Sequence, residues 1–240
     1  MNITLILQAR MNSSRLPGKV LKLIEEKTVL QHIIDRCSKS KYINKIIVAT
    51  TTNSFDDILE NYCIENNINY YRGSEDNVLE RFYMSVQNEN PDIIIRITSD
   101  CPLVDVNIVD NMITYFIQNT LVFLQPKYIK GDNQKQMGGF PDGCNPQIFT
   151  YEILEKTYRN AISNFDKEHV CPYMVRNYMN KEFIIQNTEI YKNIDLSSLH
   201  LSLDTQDDYD FISKIYKHLY KSNPNFTIYD VLNLLNNVNI

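Results

Sequence analysis

Short, wholly apolar runs and amphipathic stretches alternate through the first half of the chain. Ile3–Gln8, Lys45–Thr50 and Asp92–Thr98 read as buried strands, with Asn69–Tyr71 as a briefer one. Thr28–Ser38 carries Val29, Leu30, Ile33, Ile34 and Cys37 at helical spacing, with Thr28 as N-cap. Ser54–Asn66 is a second helix, capped by Ser54 and holding Asp56 and Asp57 in its first turn. Val78–Gln87 and Val106–Gln118 complete the series. Apolar strands between amphipathic helices predict an α/β class, a mostly parallel sheet covered on both faces.

The second half is less regular. Gln125–Asp142 is rich in Gly, Lys and polar residues and reads as a loop or lid, with Lys130–Gln136, like Glu25–Lys27, a candidate mobile segment. Asn145–Thr150, Phe183–Asn187 and Leu199–Leu203 read as strands. Glu152–Ile162 is a helix, and Asp166–Tyr178 one interrupted near Pro172. Asp204–Asp208 opens the Tyr209–Leu219 helix, and Thr227 caps Ile228–Asn237. No repeat and no linker divides the chain, so residues 1–240 are expected to form one domain bearing an insertion.

Composition narrows the class. A net charge of -5 argues against a general nucleic-acid binder and makes a local basic loop conspicuous. Five scattered cysteines without zinc-ligand spacing read as reduced thiols. The N-terminal apolar run is too short for a signal peptide, and no stretch reaches membrane-spanning length, so a cytoplasmic location is expected. No G-x-G-x-x-G occurs, which disfavours a dinucleotide-binding Rossmann fold.

The basic loop follows the first strand. Arg10, Arg15 and Lys19 stand among Ser13, Ser14 and Gly18, a set suited to a polyphosphate: guanidinium forks and an ammonium neutralise oxygens while small residues admit backbone N–H groups. It is not a Walker loop, because Val20 follows Lys19. In open α/β sheets ligands bind beyond the strand carboxyl ends. The polar clusters Gln8–Lys19, Thr50–Asn53, Arg72–Asn77 and Ser99–Asp100 all lie there. Asp100 and Asp204 each follow a short apolar run. Brought within about 4 Å, two carboxylates repel by roughly 4 kcal/mol at an effective dielectric near 20, which a cation between them relieves. Asp204 alone is equally an N-cap, and Asp100 a turn residue.

The blocks Gln8–Lys19, Arg72–Arg81, Arg96–Leu103, Glu168–Tyr173 and Asp204–Asp208 together resemble the cytidylyltransferases that make CMP-activated acidic sugars, most closely their spore-coat-polysaccharide branch. The resemblance implies a Rossmann-like nucleotidyltransferase fold with a small inserted acceptor and dimerisation subregion. Residues 1–124 would then be the nucleotide-binding half and 125–240 the acceptor-binding and dimerisation half. It implies CTP and a small acidic sugar or sugar phosphate as substrates, pyrophosphate release, Mg²⁺ and a homodimer, with no nucleic acid or membrane partner. Gln8, Ala9, Arg10, Ser13, Ser14, Arg15 and Lys19 would hold the nucleotide, and Arg72, Gly73, Ser74 and Asp76 its base and ribose. Arg10, Lys19 and Asp100 would be catalytic, and Asp100 with Asp204 would bind metal.

Asn145, Gln147, His169 and Arg176 would face the acceptor. Asn145 and Gln147 stand where the branch usually has two acids, which favours a more anionic acceptor. His169 is structural or acceptor-contacting, and Arg176 pairs with the acceptor or with a neighbouring acid. Two rivals remain open at this stage: a metal-dependent glycosyltransferase, and a relative that binds nucleotide without turnover. The Arg/Lys loop opposes the first, and intact Arg10, Lys19, Asp100 and Asp204 oppose the second.

Overall fold

Strand β1 (Ile3–Gln8) organises the molecule because its two faces are both apolar. Leu5 and Leu7 point to one side and Ile6 to the other, all of them fully buried. A strand buried on both faces sits at the centre of a sheet. The computed structural model describes residues 1–127, 140–184, 191, 194, 196 and 199–238, and in it β1 does so.

After β1 come a small antiparallel hairpin, β2 (Leu23–Ile24) and β3 (Lys27–Thr28), and helix α1 (Val29–Cys37). Then follow β4 (Lys45–Thr51), α2 (Asp57–Glu65), β5 (Tyr70–Gly73), α3 (Val78–Val86), β6 (Ile93–Thr98) and α4 (Val106–Gln118). The remainder is β7 (Phe123–Leu124), β8 (Gln147–Thr150), α5 (Tyr151–Asn160), α6 (Asn164–His169), α7 (Pro172–Tyr178), α8 (Gln206–Leu219) and α9 (Ile228–Asn237). The six-stranded sheet runs β5-β4-β1-β6-β8-β7. Its first four strands are parallel, and β8 and β7 add on in antiparallel sense.

Helices cover both faces. Leu5, Leu7, Ile95 and Ile97 pack toward α1, α4, α8 and α9, whereas Ile6, Ile47, Ala49, Ile94 and Phe149 pack toward α3, α5 and α7. Each fully buried aliphatic side chain contributes about 2 kcal/mol. The chain winds from β1 outward to β4 and β5 on one side and to β6 on the other. That reversal opens a crevice beyond the carboxyl ends of β1 and β6, where Gln8 and Thr98 are register partners.

Several boundaries differ from the sequence reading. The cap before α2 is Asn53, not Ser54: its side chain accepts from Phe55 N and starts a 3₁₀ turn, Ser54–Asp56, that precedes the helix. Glu25 and Glu26 adopt φ 44° and 68° and close the β2–β3 hairpin as a two-residue turn. Asp166–Tyr178 is split where Val170 turns to φ 68° and Pro172 starts α7. Among the described residues Leu199–Leu203 pairs only through an isolated bridge, His200 with Asp142. It is an extended strap, held by Leu201 N–H to Asp142 O and Leu203 N–H to Asp100 O. Lys130–Gln136 and the end of Phe183–Asn187 lie outside the described residues.

Candidate active site

The loop after β1 is fixed at several points. Met11 N–H donates to Asp56 Oδ1 at 2.6 Å, and Gly18 N–H closes back on Met11 O at 2.9 Å. Gly18 has φ 71°, a left-handed conformation that glycine adopts without strain, and it turns the chain into a 3₁₀ turn beginning at Lys19. Lys19 is thereby driven inward, to 8% exposure.

Its ammonium donates to Leu203 O at 2.6 Å and Asp204 Oδ1 at 2.9 Å, and lies 3.9 Å from Asp100 Oδ2. Arg15 Nη2 reaches the same Asp204 oxygen at 2.9 Å. Residues 15, 19, 100 and 204 therefore converge, although Lys19 and Asp204 are 185 positions apart. Asp100 is aimed by its own strand end: Ser99 N–H bonds to Gln8 O at 3.0 Å and Thr98 Oγ1 to the Asp100 carboxylate. Asp204 is aimed by the strap. Gly143, at φ 86°, lets that strap pass so close that a Cβ there would sit 2.5 Å from the Leu201 carbonyl carbon.

Two adjoining cavities open over these groups. The smaller, about 250 Å³, is lined by Gln8, Ala9, Arg10, Ser13, Ser14, Arg15, Lys19, Thr98, Ser99, Asp100 and Asp204. The larger, about 930 Å³, shares Gln8, Arg10, Arg15 and Asp100 with it. It extends past Glu75, Asp76 and Asn77 on one side and Asn164, Lys167, Glu168 and His169 on the other. Its size suits a nucleotide-scale ligand. Arg10 Nη1 is 3.5 Å from Glu75 Oε1, a loose contact on an exposed side chain.

Some sequence-designated residues stand elsewhere. Arg72, assigned to the base pocket, turns to the opposite side: its guanidinium meets Asp57 at 2.7 Å and also Glu60, and donates to Thr51 O and Asn53 O. Gly73 and Ser74 line neither cavity, and Asp76 alone of that group does. Arg176 is consumed by Asp166, both of whose oxygens lie 2.7 Å from Nη2. Burial alone would raise the Asp166 carboxyl, but bonds from Arg176 and Ser163 hold it below its usual value. Asn145 is half-buried beside Asp142, its Oδ1 buried, and lines neither cavity. Gln147 lines neither cavity, yet its Oε1 accepts from Arg96 Nη1 at 2.6 Å.

Three participants were named in the sequence reading without a role in the site. Asp56 is 2% exposed and ties Met11 to Thr51, joining the loops after β1 and β4. Arg81 and Arg96 both line the larger cavity. The register gave a signal for Arg96: two residues before the end of β6, it shares a sheet face with Gln8 of β1. Cys101, beside Asp100, is a packing residue, its thiol pushed well above the usual range by burial and by the Asp100 charge.

Among the described residues no three His, Cys, Asp or Glu side chains gather as a protein-only metal cage. The Asp100–Asp204 pair is a different donor set, two hard carboxylates beside a cavity with the Lys19 ammonium between them. Such a pair fits a divalent ion that takes its other ligands from phosphate oxygens and water.

No helix among the described residues is long and apolar enough to cross a membrane. The cytidylyltransferase family model matches residues 4–229. The chain is 30% identical to the spore coat polysaccharide biosynthesis protein SpsF of Bacillus subtilis, over 98% of this chain and 94% of that one. It is 33% identical to an uncharacterized protein of Methanocaldococcus jannaschii, over 91% of this chain and 84% of that one. Among solved structures it resembles a cytidylyltransferase from Leptospira borgpetersenii, with TM-score 0.86, 28% identity and coverage of 100% and 99%. A strand-end site with this constellation, and a family match over nearly all of its length, place the chain in the cytidylyltransferase family of nucleotidyltransferases.

Proposed function

We propose that this cytidylyltransferase moves a CMP group from CTP to a hydroxyl of a sugar acid or sugar phosphate, with Mg²⁺, for surface polysaccharide synthesis. The observation that carries the reading is the meeting of Asp100, Asp204 and Lys19 beside Arg10 and Arg15 at the ends of β1 and β6. The polysaccharide role draws on the printed name of the Bacillus subtilis relative.

In the reaction an acceptor oxygen bonds to the α-phosphorus while the bond from that phosphorus to the bridging oxygen breaks. The hydroxyl proton passes to solvent and pyrophosphate leaves. Such transfer needs positioning and neutralisation more than covalent participation by the protein. Arg10 and Arg15 face both cavities and would offset charge growing on the leaving group. Ser13, Ser14 and Ala9 would admit the phosphates in the smaller cavity, with Gln8 at the boundary. Asp76 would meet the nucleoside at one end of the larger cavity and His169 the acceptor at the other. Lys19 is too buried to range freely, so its role is to hold both carboxylates in register and add one fixed charge. Mg²⁺ on Asp100 and Asp204 would supply Lewis acidity toward the triphosphate.

Pyrophosphate release measured across the four ribonucleoside triphosphates, with a panel of sugar acids and sugar phosphates, tests the reading. Release from CTP that requires both an acceptor and Mg²⁺ is expected. Equal release from all four nucleotides, or full activity in EDTA, overturns it. A homodimer belongs to the same reading, and light scattering at the mass of one chain would remove it.

A further inference from the structure

Most arginines of this protein meet a carboxylate. Arg10 meets Glu75, Arg15 Asp204, Arg72 Asp57 and Glu60, Arg159 Glu155, and Arg176 Asp166. Arg81 and Arg96, both facing the larger cavity, make no ion pair among the described residues. Arg81 is 1% exposed, and its Nη1 donates to Ser74 O at 2.6 Å. Arg96 spans three strands: Nη1 donates to Gln147 Oε1 at 2.6 Å and Nη2 to Gln8 Oε1 at 3.0 Å. Its guanidinium stands 5.9 Å from the centre of the Phe82 ring. Both Nε atoms are buried without an acceptor.

Every oxygen these two cations touch is therefore neutral. Burial pushes the Arg81 guanidinium down to about 10, with Asp56 and Glu75 opposing and the charges of Arg10 and Arg96 adding to the fall. Arg81 is buried and Arg96 half-buried, and both hydrogen-bond only amide and carbonyl oxygens. The Asp56 and Glu75 charges offset the cost at Arg81 only in part, so an anionic ligand group in this cavity would complete the balance. The lining residues separate that group from most of the triphosphate-directed loop. Ser13, Ser14, Lys19 and Asp204 line only the smaller cavity, whereas Arg81, Arg96 and His169 line only the larger.

We infer that Arg96, backed by Arg81, receives an anionic group of the acceptor, a carboxylate or a phosphate, and that the neutral Gln147 leaves it free to do so. The inference rests on the proposed two-substrate reading. Gln147 then sets specificity without touching the acceptor: a carboxylate in its place would close an ion pair with Arg96 and take the charge out of the cavity. Gln147 Nε2 is 3.3 Å from Gln125 Oε1, so a second neutral amide holds it toward Arg96.

Calorimetric titration of the full chain, with and without a non-hydrolysable CTP analogue, tests this with three probes on one ring: glucose, glucuronate and glucose 6-phosphate. At least one anionic probe is expected to bind about tenfold or more tighter than glucose, and which one does so separates carboxylate from phosphate recognition. Arg96→Ala and Gln147→Glu should each erase that preference and Arg96→Lys should restore part of it, with analogue affinity unchanged in Gln147→Glu. Equal binding of glucose, no binding of either anion, or an intact preference in Gln147→Glu and Arg96→Lys alike overturns the inference. So does a loss of analogue affinity in Gln147→Glu as large as the loss for the anion, since Arg96 would then serve the nucleotide. Anion preference in a wild type that never binds the analogue would sink the cytidylyl reading and leave the subsite standing.

Discussion

Two neighbourhoods of this molecule crowd cations at the same strand ends, and they are balanced in opposite ways. Around Lys19, positive groups are answered by Asp100 and Asp204, carboxylates delivered from far along the chain. Around Arg96, the answering oxygens belong to Gln8 and Gln147 and carry no charge. The first arrangement is stable as it stands, and offers its acids to another cation when the ammonium shares them. The second is incomplete alone. Charge left unanswered on one side of a cavity, and charge neutralised on the other, give the site a direction.

That contrast breaks most sharply at the acids. Asp100→Asn and Asp204→Asn should each cut pyrophosphate release from CTP by about a thousandfold, equivalent to ~4 kcal/mol of transition-state stabilisation, with circular dichroism unchanged. Substantial Mg²⁺-dependent activity in both would refute their pairing as metal ligands. Lys19→Ala should lower turnover by about a hundredfold. It should also lower the urea midpoint, because two facing carboxylates lose the ammonium between them. Arg81→Met, on the unanswered wall, should do the reverse in the free protein. Removing a buried cation that bonds no carboxylate raises unfolding free energy by about 1 kcal/mol, and binding of the anionic probe falls. A loss of stability there would show that Arg81 is a strut.

The smallest effect concerns the cap beside Asp204. Asp208 accepts from Thr205 N–H at 2.7 Å and Asp204 N–H at 3.0 Å, closing a capping box at α8. Burial would raise its carboxyl, but the bonds from the Thr205 hydroxyl, Thr205 N–H and Asp204 N–H hold it below the ordinary 3.8. The folded-state value lies under the unfolded one. The stabilisation is therefore fully present above 3.8 and is lost as pH falls through the depressed value. Asp208→Ala should cost about 1 kcal/mol at pH 7, and its urea midpoint should converge with that of wild type in acid.

Periodicity alone located β1, α4 and α9 with their observed bounds, because each buries a whole face and little competes with that pattern. The Gln8–Lys19 loop was equally readable, since its cations are adjacent in sequence. What eluded the reading depends on register and on distant oxygens. Arg96 opens one of the resemblance blocks, yet nothing local gives it a role until β1 and β8 lie beside it. Asp56 looks like an ordinary first-turn acid, and its true partner is the Met11 amide 45 residues earlier. Arg72 misled in the other direction, whereas Arg176 took the second of its two readings, the neighbouring acid. Asp57 and Glu60, three apart on one helix, and Asp166, ten residues before Arg176, were visible as local partners.

The strap that delivers Asp204 has a consequence for synthesis. All six sheet strands have been translated once Thr150 is made, yet the second acid arrives more than fifty residues later. A ribosome stalled between those points would display the nucleotide crevice with its basic loop and Asp100 but without Asp204. On the proposed chemistry such a nascent chain is inert, so competence to use CTP is conferred only once Asp204 has been made and has folded back.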